Sequence, residues 1–461
     1  MGKKTKVSNS NMNFNKILTV FWVALLAIIS CMVLYLKWNS KTKADYYQEY
    51  IKQGKEYMEQ GYYVEAINEF KQAELIRSDE NVQVAIAECY LGLGDYATFK
   101  SNSEQIQKLF GTNEKLYEDI AYYYGYMNDS YNQINTLRQG VAQYPESSVL
   151  KLKYDTVKGK YIQAGYNVED VISVGDRYMV VSENGRQKVV GSTLTAVGSE
   201  DYDQVYDISV DPFISQSWEE AEMLYSAKSD GVISYYDNRG YKRRSPDKSY
   251  LFLGAPRDGY ALVQSSDGWS YIDTDFNELG LWFQDATAFN GGFAAVKKDG
   301  KWAFIDKDFQ YITEFVYDHV VCDEFKCLGN AGVAFAKKGN SYVMVNVEGE
   351  LKIDKVFTQA KTFRAKNGYA AVECSGKWHL VDTAGNIIET VKCDELCSTS
   401  NGMSVYRDGD KWGYVGVGDG IYVDASLEAA TEINRDGYGA IKSGKQWMII
   451  HFLRFEPDQG L

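Results

Sequence analysis

Three patterns of apolar and polar residues follow one another along the chain, and each predicts a different kind of structure. Residues 17–36 are apolar and carry no charge. Residues 44–164 place their apolar residues three and four apart, which is typical of amphipathic helices. Residues 165–456 contain short apolar runs that end at glycine-containing turns, which is typical of strands joined into hairpins. The pattern predicts a multidomain α and β protein with a single transmembrane helix, a helical region and an all-β repeat domain.

The apolar segment is long enough to cross a membrane. At a rise of about 1.5 Å per residue, the 20 residues of Ile17–Leu36 match a hydrocarbon core of roughly 30 Å. Within the segment, Ile28-Ile29-Ser30-Cys31 resembles the lipobox of bacterial lipoproteins, in which the cysteine is lipidated after cleavage. The apolar run continues past Cys31 to Leu36, which favours an uncleaved anchor over cleavage. The lipid bilayer is therefore an expected partner of residues 17–36.

Charge is placed unevenly along the chain. Residues 1–43 carry seven lysines and no acid, whereas the whole chain has a net charge of -14, so the remainder carries -21. The basic tail, residues 1–16, predicts a cytoplasmic N-terminus and an extracytoplasmic body in a single-pass protein of the bacterial cell membrane. Lys37, Lys41 and Lys43, just beyond the span, weaken this prediction. A body this acidic repels phosphate backbones, which argues against nucleic acid as a partner.

Residues 44–164 repeat a helical pattern about every 33 residues. The first copy spaces aromatic and small residues over two helices around a turn: Tyr50, Gly54, Tyr57, Gly61, Tyr63, Ala66, Phe70 and Ala73. Weaker copies follow near Ala87 and Ala121, and Val149–Ala164 is predicted to be a capping helix. This spacing resembles the tetratricopeptide family. The resemblance implies an α-solenoid in which small residues let antiparallel helices approach closely.

The tetratricopeptide resemblance also implies a concave surface that binds peptides. Carried over by position, that surface holds one face of the first helix of each repeat: Lys55, Glu59, Glu88, Glu118, Tyr122 and Tyr126. The alternative is a solvated helix face in a rigid spacer that lifts the following domain off the membrane.

An aromatic residue recurs at the same place in each repeat of the all-β domain. The positions are Trp269, Trp302, Tyr342, Trp378, Trp412 and Trp447, with steps of 33, 40, 36, 34 and 35 residues. The clearest copies of the motif are 291–306 and 368–382, and two degenerate units precede them, around Asn184-Gly185 and Asp230-Gly231. We therefore expect about seven or eight units, with the recurring aromatic residues packing between them rather than binding a ligand.

The turn at Asp299-Gly300 predicts how one hairpin is paired. The pairs are Val296 with Ala303 and Ala294 with Ile305 on one face, and Lys297 with Trp302 and Ala295 with Phe304 on the other. Both faces are largely apolar, so these small sheets need cover on both sides, blade against blade, as in a β-propeller. A linear stack of hairpins is the alternative. The last unit is short and ends at Phe452, which indicates that the domain's first strand completes the final blade.

The all-β domain also resembles a known repeat family. Lys411-Trp412-Gly413-Tyr414-Val415 contains the Trp-Gly pair of the bacterial WG-repeat family. The other copies keep the tryptophan but replace the glycine. The resemblance implies a binding or scaffold module to which many different partners are attached, and it leaves the ligand of this chain open.

No motif for catalysis, a cofactor or a metal stands out in the sequence, and we expect a protein that is not an enzyme. The three histidines lie in strand-like or apolar contexts, away from any nucleophile motif. Asp273-x-Asp275-x-Asn277 begins like a calcium loop. It lacks the glycine at position six and the closing glutamate, so we expect a simple turn there.

The seven cysteines do not form a disulfide framework. Cys322 with Cys327, and Cys393 with Cys397, could each close a small loop if the domain lies outside the cytoplasm. A metal site that adds His319 to these cysteines is less favoured, because the pairs lack the two-residue spacing of zinc ribbons. The expected role of the cysteines is that of small buried apolar residues.

Together these features predict a membrane-anchored, non-catalytic interaction or scaffold protein at the bacterial cell surface. Its expected partner is a protein, a peptide or an envelope polymer. One alternative is an extracytoplasmic enzyme that acts on cell-wall or imported glycans through acidic residues of the propeller. A second alternative places the body in the cytoplasm as an assembly scaffold beside a membrane complex.

Overall fold

The computed structural model describes residues 10–110, 114–175, 177–191, 194, 196–198, 201–209, 224–329, 332–364, 368–399 and 401–455. The chain divides into two compact units, of which the first ends at Leu152 and the second begins at Lys153. Helices make up the first unit, and small antiparallel sheets make up nearly all of the second. The division into a helical and an all-β part agrees with the pattern of apolar residues.

Within the described ranges, seven helices precede the strands. Their bounds are α1 (Ser10–Glu59), α2 (Tyr63–Ile76), α3 (Glu80–Gly92), α4 (Tyr96–Phe110), α5 (Glu114–Tyr126), α6 (Ser130–Gln143) and α7 (Ser148–Val157). The predicted turn at Gly61 separates α1 from α2, with Gly61 in the left-handed region at φ 79°. The predicted capping helix is shorter than expected. It ends at Val157, and a strand already begins at Tyr161, so the predicted boundary at 164 lies inside that strand.

The apolar segment is part of one long helix. α1 contains residues 17–36, with their apolar side chains exposed, and continues without a break to Glu59. Residues 37–45 contain neither glycine nor proline, so nothing in the sequence ends the helix after the apolar segment. Among the described residues, α1 is the helix that is long and apolar enough to cross a membrane. It is therefore a candidate for a membrane anchor or a signal sequence.

Small residues set how closely the helices of the first unit pack. The ring of Phe70 on α2 lies directly over Gly54 on α1, where a Cβ atom would stand 2.6 Å from Phe70 Cε1. The ring of Tyr63 lies over Gly92 of α3 in the same way. Phe70, Ala66 and Ala73 are fully buried in the resulting core. The small positions of the helical pattern are therefore contact positions between neighbouring helices.

Twenty-eight strands follow among the described residues, and we group them into eight blades. Blade 1 contains β2 (Asp170–Val174), β3 (Tyr178–Glu183) and β4 (Arg186–Gly191); blade 2 contains β5 (Gln204–Ser209), β6 (Leu224–Ser229), β7 (Val232–Asp237) and β8 (Lys242–Arg244); blade 3 contains β9 (Phe252–Leu253), β10 (Tyr260–Ser265) and β11 (Gly268–Asp273); blade 4 contains β12 (Asp285–Ala286), β13 (Phe293–Lys298) and β14 (Lys301–Asp306).

The second half of the domain continues the same arrangement. Blade 5 contains β15 (His319–Val320), β16 (Ala334–Lys338), β17 (Ser341–Asn346) and β18 (Gly349–Glu350); blade 6 contains β19 (Phe357–Ala360), β20 (Ala370–Cys374), β21 (Lys377–Val381) and β22 (Ile387–Val391); blade 7 contains β23 (Glu395–Leu396), β24 (Met403–Asp408), β25 (Lys411–Gly416) and β26 (Gly420–Leu427); blade 8 contains β27 (Tyr438–Ser443), β28 (Gln446–Phe452) and β1 (Tyr161–Val168). A single pairing, Tyr342 with Phe357, also joins blades 5 and 6 into one sheet.

The blades form a closed ring. Apolar clusters among the described residues each join side chains of two successive blades, from blades 1 and 2 through to blades 7 and 8. A further cluster packs Tyr438 and Ala440 of blade 8 against Met179 and Val181 of blade 1. The sheets are therefore covered on both faces by their neighbours, in a β-propeller-like arrangement, and not as a linear stack of hairpins.

The first strand of the domain closes this ring, as the short last unit predicts. β1 pairs antiparallel with β28, with Tyr161 opposite Phe452 and Val168 opposite Trp447. The hairpin pairing predicted from Asp299-Gly300 is confirmed as well. β13 and β14 pair Val296 with Ala303 and Lys297 with Trp302, together with the other two predicted pairs.

Candidate interaction surfaces

The recurring aromatic residues lie at the packing surfaces between blades. Trp269, Trp302 and Trp378 are buried, and each belongs to an apolar cluster shared with the next blade. Trp412, Trp447 and Tyr342 are half-buried and pack against such clusters. These rings are therefore part of the ring's core, as the sequence predicts, and leave little face for a ligand.

A cation covers several of these rings from the neighbouring strand. Lys297 Nζ lies 5.9 Å from the ring centre of Trp302, its cross-strand partner. Arg407 covers Trp412 at 5.9 Å, and Lys442 covers Trp447 at 5.7 Å, in the same register. Such cation–π pairs add to the packing of the blade edge.

The calcium-like sequence at Asp273 forms a turn, as predicted. Asp273 Oδ1 accepts hydrogen bonds from the backbone N–H groups of Asp275 at 2.9 Å and Asn277 at 2.8 Å. Asp382 closes an equivalent turn, accepting from Ala384 at 3.0 Å and Asn386 at 2.8 Å. The carboxylates therefore serve as local turn acceptors at the ends of strands.

Blade 5 contains a longer connection that crosses the middle of the ring. Residues 321–333 join β15 to β16, whereas residues 287–292 join the corresponding strands of blade 4. At its tip, Asp323 Oδ1 accepts from the N–H groups of Phe325 at 3.0 Å and Cys327 at 2.8 Å. Phe325 is buried in the cluster formed by blades 1 and 2, on the opposite side of the ring from blade 5. The connection therefore fills part of the central space.

Charged side chains from three blades, and a serine from a fourth, meet where this connection crosses. Arg364 of blade 6 contacts Glu324 of blade 5 through Nη1 at 3.3 Å and Glu432 of blade 8 through Nε at 2.8 Å. Ser173 of blade 1 donates a hydrogen bond to Glu324 Oε1. We call Ser173, Asp323, Glu324, Arg364 and Glu432 the central charge cluster. Because the cluster joins blades 5 and 6 to blades 8 and 1, it ties opposite sides of the ring together.

Burial perturbs the titration of this cluster, although water still reaches it. The side chains of Arg364, Glu324 and Glu432 keep 28%, 32% and 19% of their surface exposed. Burial, followed by the charge of Glu324, raises the pKa of Asp323 to about 7, against the opposing influence of Arg364. Burial also raises the pKa of Glu432, although Arg364 opposes it. Asp323 can therefore exchange a proton near neutral pH.

A second ion pair lies between blades 2 and 3, with the Asp207 side chain fully buried and the Arg257 side chain 12% exposed. Arg257 binds Asp207 through two nitrogens, with Nη1 2.5 Å from Oδ2 and Nη2 2.7 Å from Oδ1. The backbone N–H of Ala255 also donates to Asp207 at 2.7 Å. Burial raises the pKa of Asp207, although Arg257 and the backbone donors oppose the shift. This bidentate pair is a fixed structural contact.

The predicted peptide-binding face is spread over three helices. Lys55 and Glu59 are exposed on α1, and Glu88 lies on α3. Glu118, Tyr122 and Tyr126 lie on α5, with Tyr122 and Tyr126 exposed at 63% and 59%. Their placement leaves both the binding and the spacer interpretations open.

Two of these residues already have partners inside the first unit. The carboxylate of Glu88 pairs with Lys115 Nζ at 3.3 Å, and Lys115 also contacts Asp119 Oδ1 at 2.6 Å. The ring of Tyr126 packs against that of Tyr96 at a centroid distance of 4.9 Å. Burial raises the pKa of Asp119 to about 7, with Lys115 opposing the shift and Glu88 adding to it.

A groove that the sequence does not predict also lies in the first unit. It has a volume of about 230 Å³ and is bounded by α4 and α6, with α5 as its floor. Its lining residues are Phe99, Lys100, Ser103, Glu104, Gln107, Ile120, Tyr123, Tyr124, Asn132, Asn135, Thr136 and Gln139. Each is unremarkable in the sequence, because the groove exists only once three helices are packed.

The cysteines and acids of the described ranges can be checked for metal-binding geometry and for disulfides. All seven cysteines lie in the described ranges and are free thiols. Burial raises the pKa of the Cys322 and Cys327 thiols to about 11 and of the Cys393 and Cys397 thiols to about 12. Over the described ranges, no group of three or more His, Cys, Asp and Glu side chains is placed to hold a metal ion.

Two segments of the all-β domain match the model of a known protein family. A family model described as WG containing repeat matches residues 283–302 and 344–378. Each matched segment ends at a repeat tryptophan, Trp302 or Trp378. The resemblance to WG repeats is therefore confirmed for these parts of the ring. No curated protein matches the chain.

Several solved structures are similar to this chain. A structure of Hsv2p from Kluyveromyces lactis covers 62% of this chain and 97% of its own, with 10% identity and a TM-score of 0.32. The WD40 domain of SCAP from fission yeast covers 64% and 98%, with 9% identity and a TM-score of 0.34. A eukaryotic initiation factor covers 63% and 86%, with 9% identity and a TM-score of 0.38.

Proposed function

We propose that this chain is a membrane-anchored, non-catalytic interaction protein of the bacterial cell surface. In this proposal α1 spans the membrane, the N-terminus is cytoplasmic, and both units lie outside. The helical unit acts as a tetratricopeptide-type repeat, and the ring of WG-type blades docks a protein, a peptide or an envelope polymer.

The continuity of α1 is the observation that carries the anchor part of the proposal. Residues 37–59 extend the helix by about 35 Å beyond the apolar segment, at about 1.5 Å per residue. The last turns of this extension pack on α2 and form the core around Phe70. A rigid, directly attached anchor is suited to a protein that works beside a membrane rather than to a cleaved export signal.

The construction of the ring supports an interaction role. The recurring aromatic residues are used for packing between blades, and the central arginine is bound to two carboxylates. A ring of like units offers extended surface and connecting loops, which is how repeat domains bind other macromolecules. The acidic body, with its excess of carboxylates, favours partners that are neutral or positively charged.

Orientation can be tested with a single exposed reporter. Tyr311 is 57% exposed, so Tyr311→Cys provides a reactive thiol on the second unit. We expect a membrane-impermeant maleimide to label this variant on intact cells, with Phe304→Cys, at a fully buried position, as the unlabelled control. Labelling that appears only after the cells are lysed would contradict the cell-surface proposal.

Docking can be tested by photo-crosslinking in living cells. A photoreactive phenylalanine analogue would replace the exposed residues Tyr241, Tyr311 and Val356, one at a time, with buried Phe304 as the matched control. We expect a discrete crosslinked adduct from at least one exposed position and none from the control. If every exposed position gives only the uncrosslinked chain, the ring does not dock a partner at these surfaces.

An enzyme that acts on cell-wall or imported glycans is the second candidate function. The observation in its favour is the central charge cluster, in which Asp323 has a pKa of about 7 and Glu324 lies beside it. The contacts of Arg364 with Glu324 and Glu432 count against it, because a paired carboxylate is a poor proton donor. New reducing ends from wall polysaccharide, lost in Asp323→Asn, would favour the enzyme.

A further inference from the structure

Two buried polar atoms beside the groove between α4 and α6 have no hydrogen-bond partner among the described residues. Ser103 is only 2% exposed, yet its Oγ makes no hydrogen bond among the described residues. The buried Nδ2 of Asn135, on the facing helix, has none either. Both side chains line the groove. Since buried polar atoms in folded proteins are nearly always paired, these two point to a ligand that supplies the missing partners.

The groove is elongated along the two helices that bound it. On α4, Phe99, Ser103 and Gln107 follow one another at intervals of one turn, which spans about 12 Å at about 1.5 Å per residue. On α6, residues 132–139 contribute a matching row, with Asn132, Asn135, Thr136 and Gln139 in the lining. An extended peptide rises about 3.3 Å per residue, so this length accommodates three to four residues.

The lining is rich in neutral hydrogen-bonding groups. Ser103, Thr136 and four side-chain amides bring donors and acceptors, whereas Lys100 and Glu104 contribute one charge of each sign. A ligand that matches this lining is therefore uncharged and carries both carbonyl oxygens and N–H groups. The backbone of a peptide has this composition, with the two kinds of group alternating along its length.

The floor of the groove suits a peptide better than a sugar. Sugars are usually recognised by an open aromatic face, but the rings here pack against one another. Tyr123 lies 5.5 Å from Phe99 and 5.1 Å from Tyr124, tilted by 54° in both pairs. Small apolar side chains of a peptide can rest on such an uneven floor next to Ile120.

We propose that this groove binds an extended, uncharged peptide segment of three to four residues. Asn135 Nδ2 donates to a carbonyl of the peptide, and Ser103 Oγ pairs with the neighbouring amide. The groove shares α5 with the predicted peptide-binding face, but its lining residues are different ones. The inference rests on the proposed function as an interaction protein, and it assigns the helical unit a ligand of its own.

The test uses the full chain in lipid nanodiscs and a phage-displayed library of random heptapeptides. Ser103→Ala removes one unpartnered atom, and Thr136→Trp fills the groove. Arg138→Trp places the same bulky ring on the exposed side of α6 as a matched control, since Arg138 is exposed and does not line the groove. Thermal unfolding by circular dichroism shows whether each variant is folded, and a synthetic copy of the enriched peptide provides affinities.

We expect enrichment of uncharged sequences that bind the original chain and Arg138→Trp equally. Ser103→Ala should weaken binding about three- to tenfold, the equivalent of one hydrogen bond, with an unchanged or higher melting temperature. Thr136→Trp should abolish binding. If Thr136→Trp fails to fold, the Ser103→Ala comparison decides alone.

Three outcomes would overturn the proposal: no enriched peptide, enriched peptides that Thr136→Trp binds as well, or binding of chitotriose in place of peptide. If one of these outcomes is found while the second unit still gives crosslinked adducts, the groove does not bind a peptide. The proposed function is then unaffected. Loss of the crosslinks with peptide binding intact rejects the docking role of the ring alone.

Discussion

Replacing Asp323 with asparagine should stabilise the second unit above neutral pH. The side-chain oxygen of asparagine can accept the same two backbone hydrogen bonds, from Phe325 and Cys327, that Asp323 Oδ1 accepts. The substitution therefore keeps the turn and removes only the charge. That charge lies beside Glu324 in the middle of the ring, where burial and the neighbouring carboxylate disfavour it.

The sign of the effect follows from the direction of the pKa shift. The pKa of Asp323 is raised from 3.8 to about 7, so the folded unit favours its protonated form. The resulting stability is fully present below the unfolded pKa and is lost as pH rises through about 7. Asparagine resembles the protonated acid at every pH. The free energy of unfolding of Asp323→Asn should therefore exceed that of the original chain increasingly as pH rises from the unfolded pKa near 3.9 to about 7.

The pKa shift of Asp323 also sets an upper limit on the stabilisation expected for Asp323→Asn. Each pKa unit corresponds to about 1.4 kcal/mol, so a shift of about three units gives an upper limit of about 4 kcal/mol. Asp323 keeps part of its surface in water, where screening weakens the repulsion. We therefore expect a gain of about 1–2 kcal/mol at pH 8, a smaller gain at pH 5, and almost none at pH 3, below the unfolded pKa.

Asp382→Asn provides a control with the opposite sign. Asp382 closes the same kind of turn, but burial is outweighed there by hydrogen bonds from Asn386 and the backbone, which lower its pKa. The charge of Asp382 therefore stabilises the unit at pH values above the unfolded pKa near 3.9. This stabilisation is lost as pH falls through the lowered pKa of the folded unit. Asp382→Asn should destabilise the unit at neutral pH, with the loss diminishing toward pH 3.

Urea unfolding of a fragment of residues 153–461 measures both variants. Tryptophan fluorescence follows the unfolding at pH 3, 5, 7 and 8. A free energy of unfolding for Asp323→Asn that stays equal to or below that of the original fragment at pH 8 would refute the reasoning. A gain of equal size at all four pH values would also refute it, because the effect would not then come from a titrating charge.

Three further predictions use the same unfolding measurement. Arg257→Met leaves the buried carboxylate of Asp207 without its partner and should cost about 3–5 kcal/mol; a loss below 1 kcal/mol would mean that the pair is dispensable. Trp302→Ala empties a buried position between blades 4 and 5 and should cost about 3–5 kcal/mol; an unchanged midpoint would contradict its packing role. Phe452→Ala removes the aromatic ring whose centroid lies 5.5 Å from that of Tyr161, and it should lower the free energy of unfolding by about 3–5 kcal/mol. It should also expose β1 to limited proteolysis, and a β1 that stays undigested would show that the strand does not need this contact.

Local features of the ring could be predicted from the sequence. The pairing of β13 with β14 follows from the two-residue turn at Asp299-Gly300, because such a turn fixes the register of the strands on either side. The closure of blade 8 by β1 follows from the missing strand in the last unit. The packing role of Trp302 follows from its recurrence at one position of the repeat.

Contacts between distant segments were not predicted. Arg364, Glu324 and Glu432 are ordinary charged residues in the sequence, and they meet only because the ring brings three blades together at its middle. One signal was present, since the step of 40 residues from Trp302 to Tyr342 is the longest and contains the connection that crosses the ring. The groove beside Ser103 had no such signal, because its shape depends on how three helices pack.

The pairing of β1 with β28 has a consequence for the timing of synthesis. β1 is among the first parts of the second unit to be made, and its partner strand is made last. Until residues 446–452 have emerged, β1 presents an unpaired edge that can recruit strands of other chains. Folding of the ring is thus completed after translation of the whole unit. A chain truncated before β28 keeps the unpaired edge of β1 at the start of the second unit. A cell that makes this protein therefore needs to shield that strand for the time it takes to make the ring.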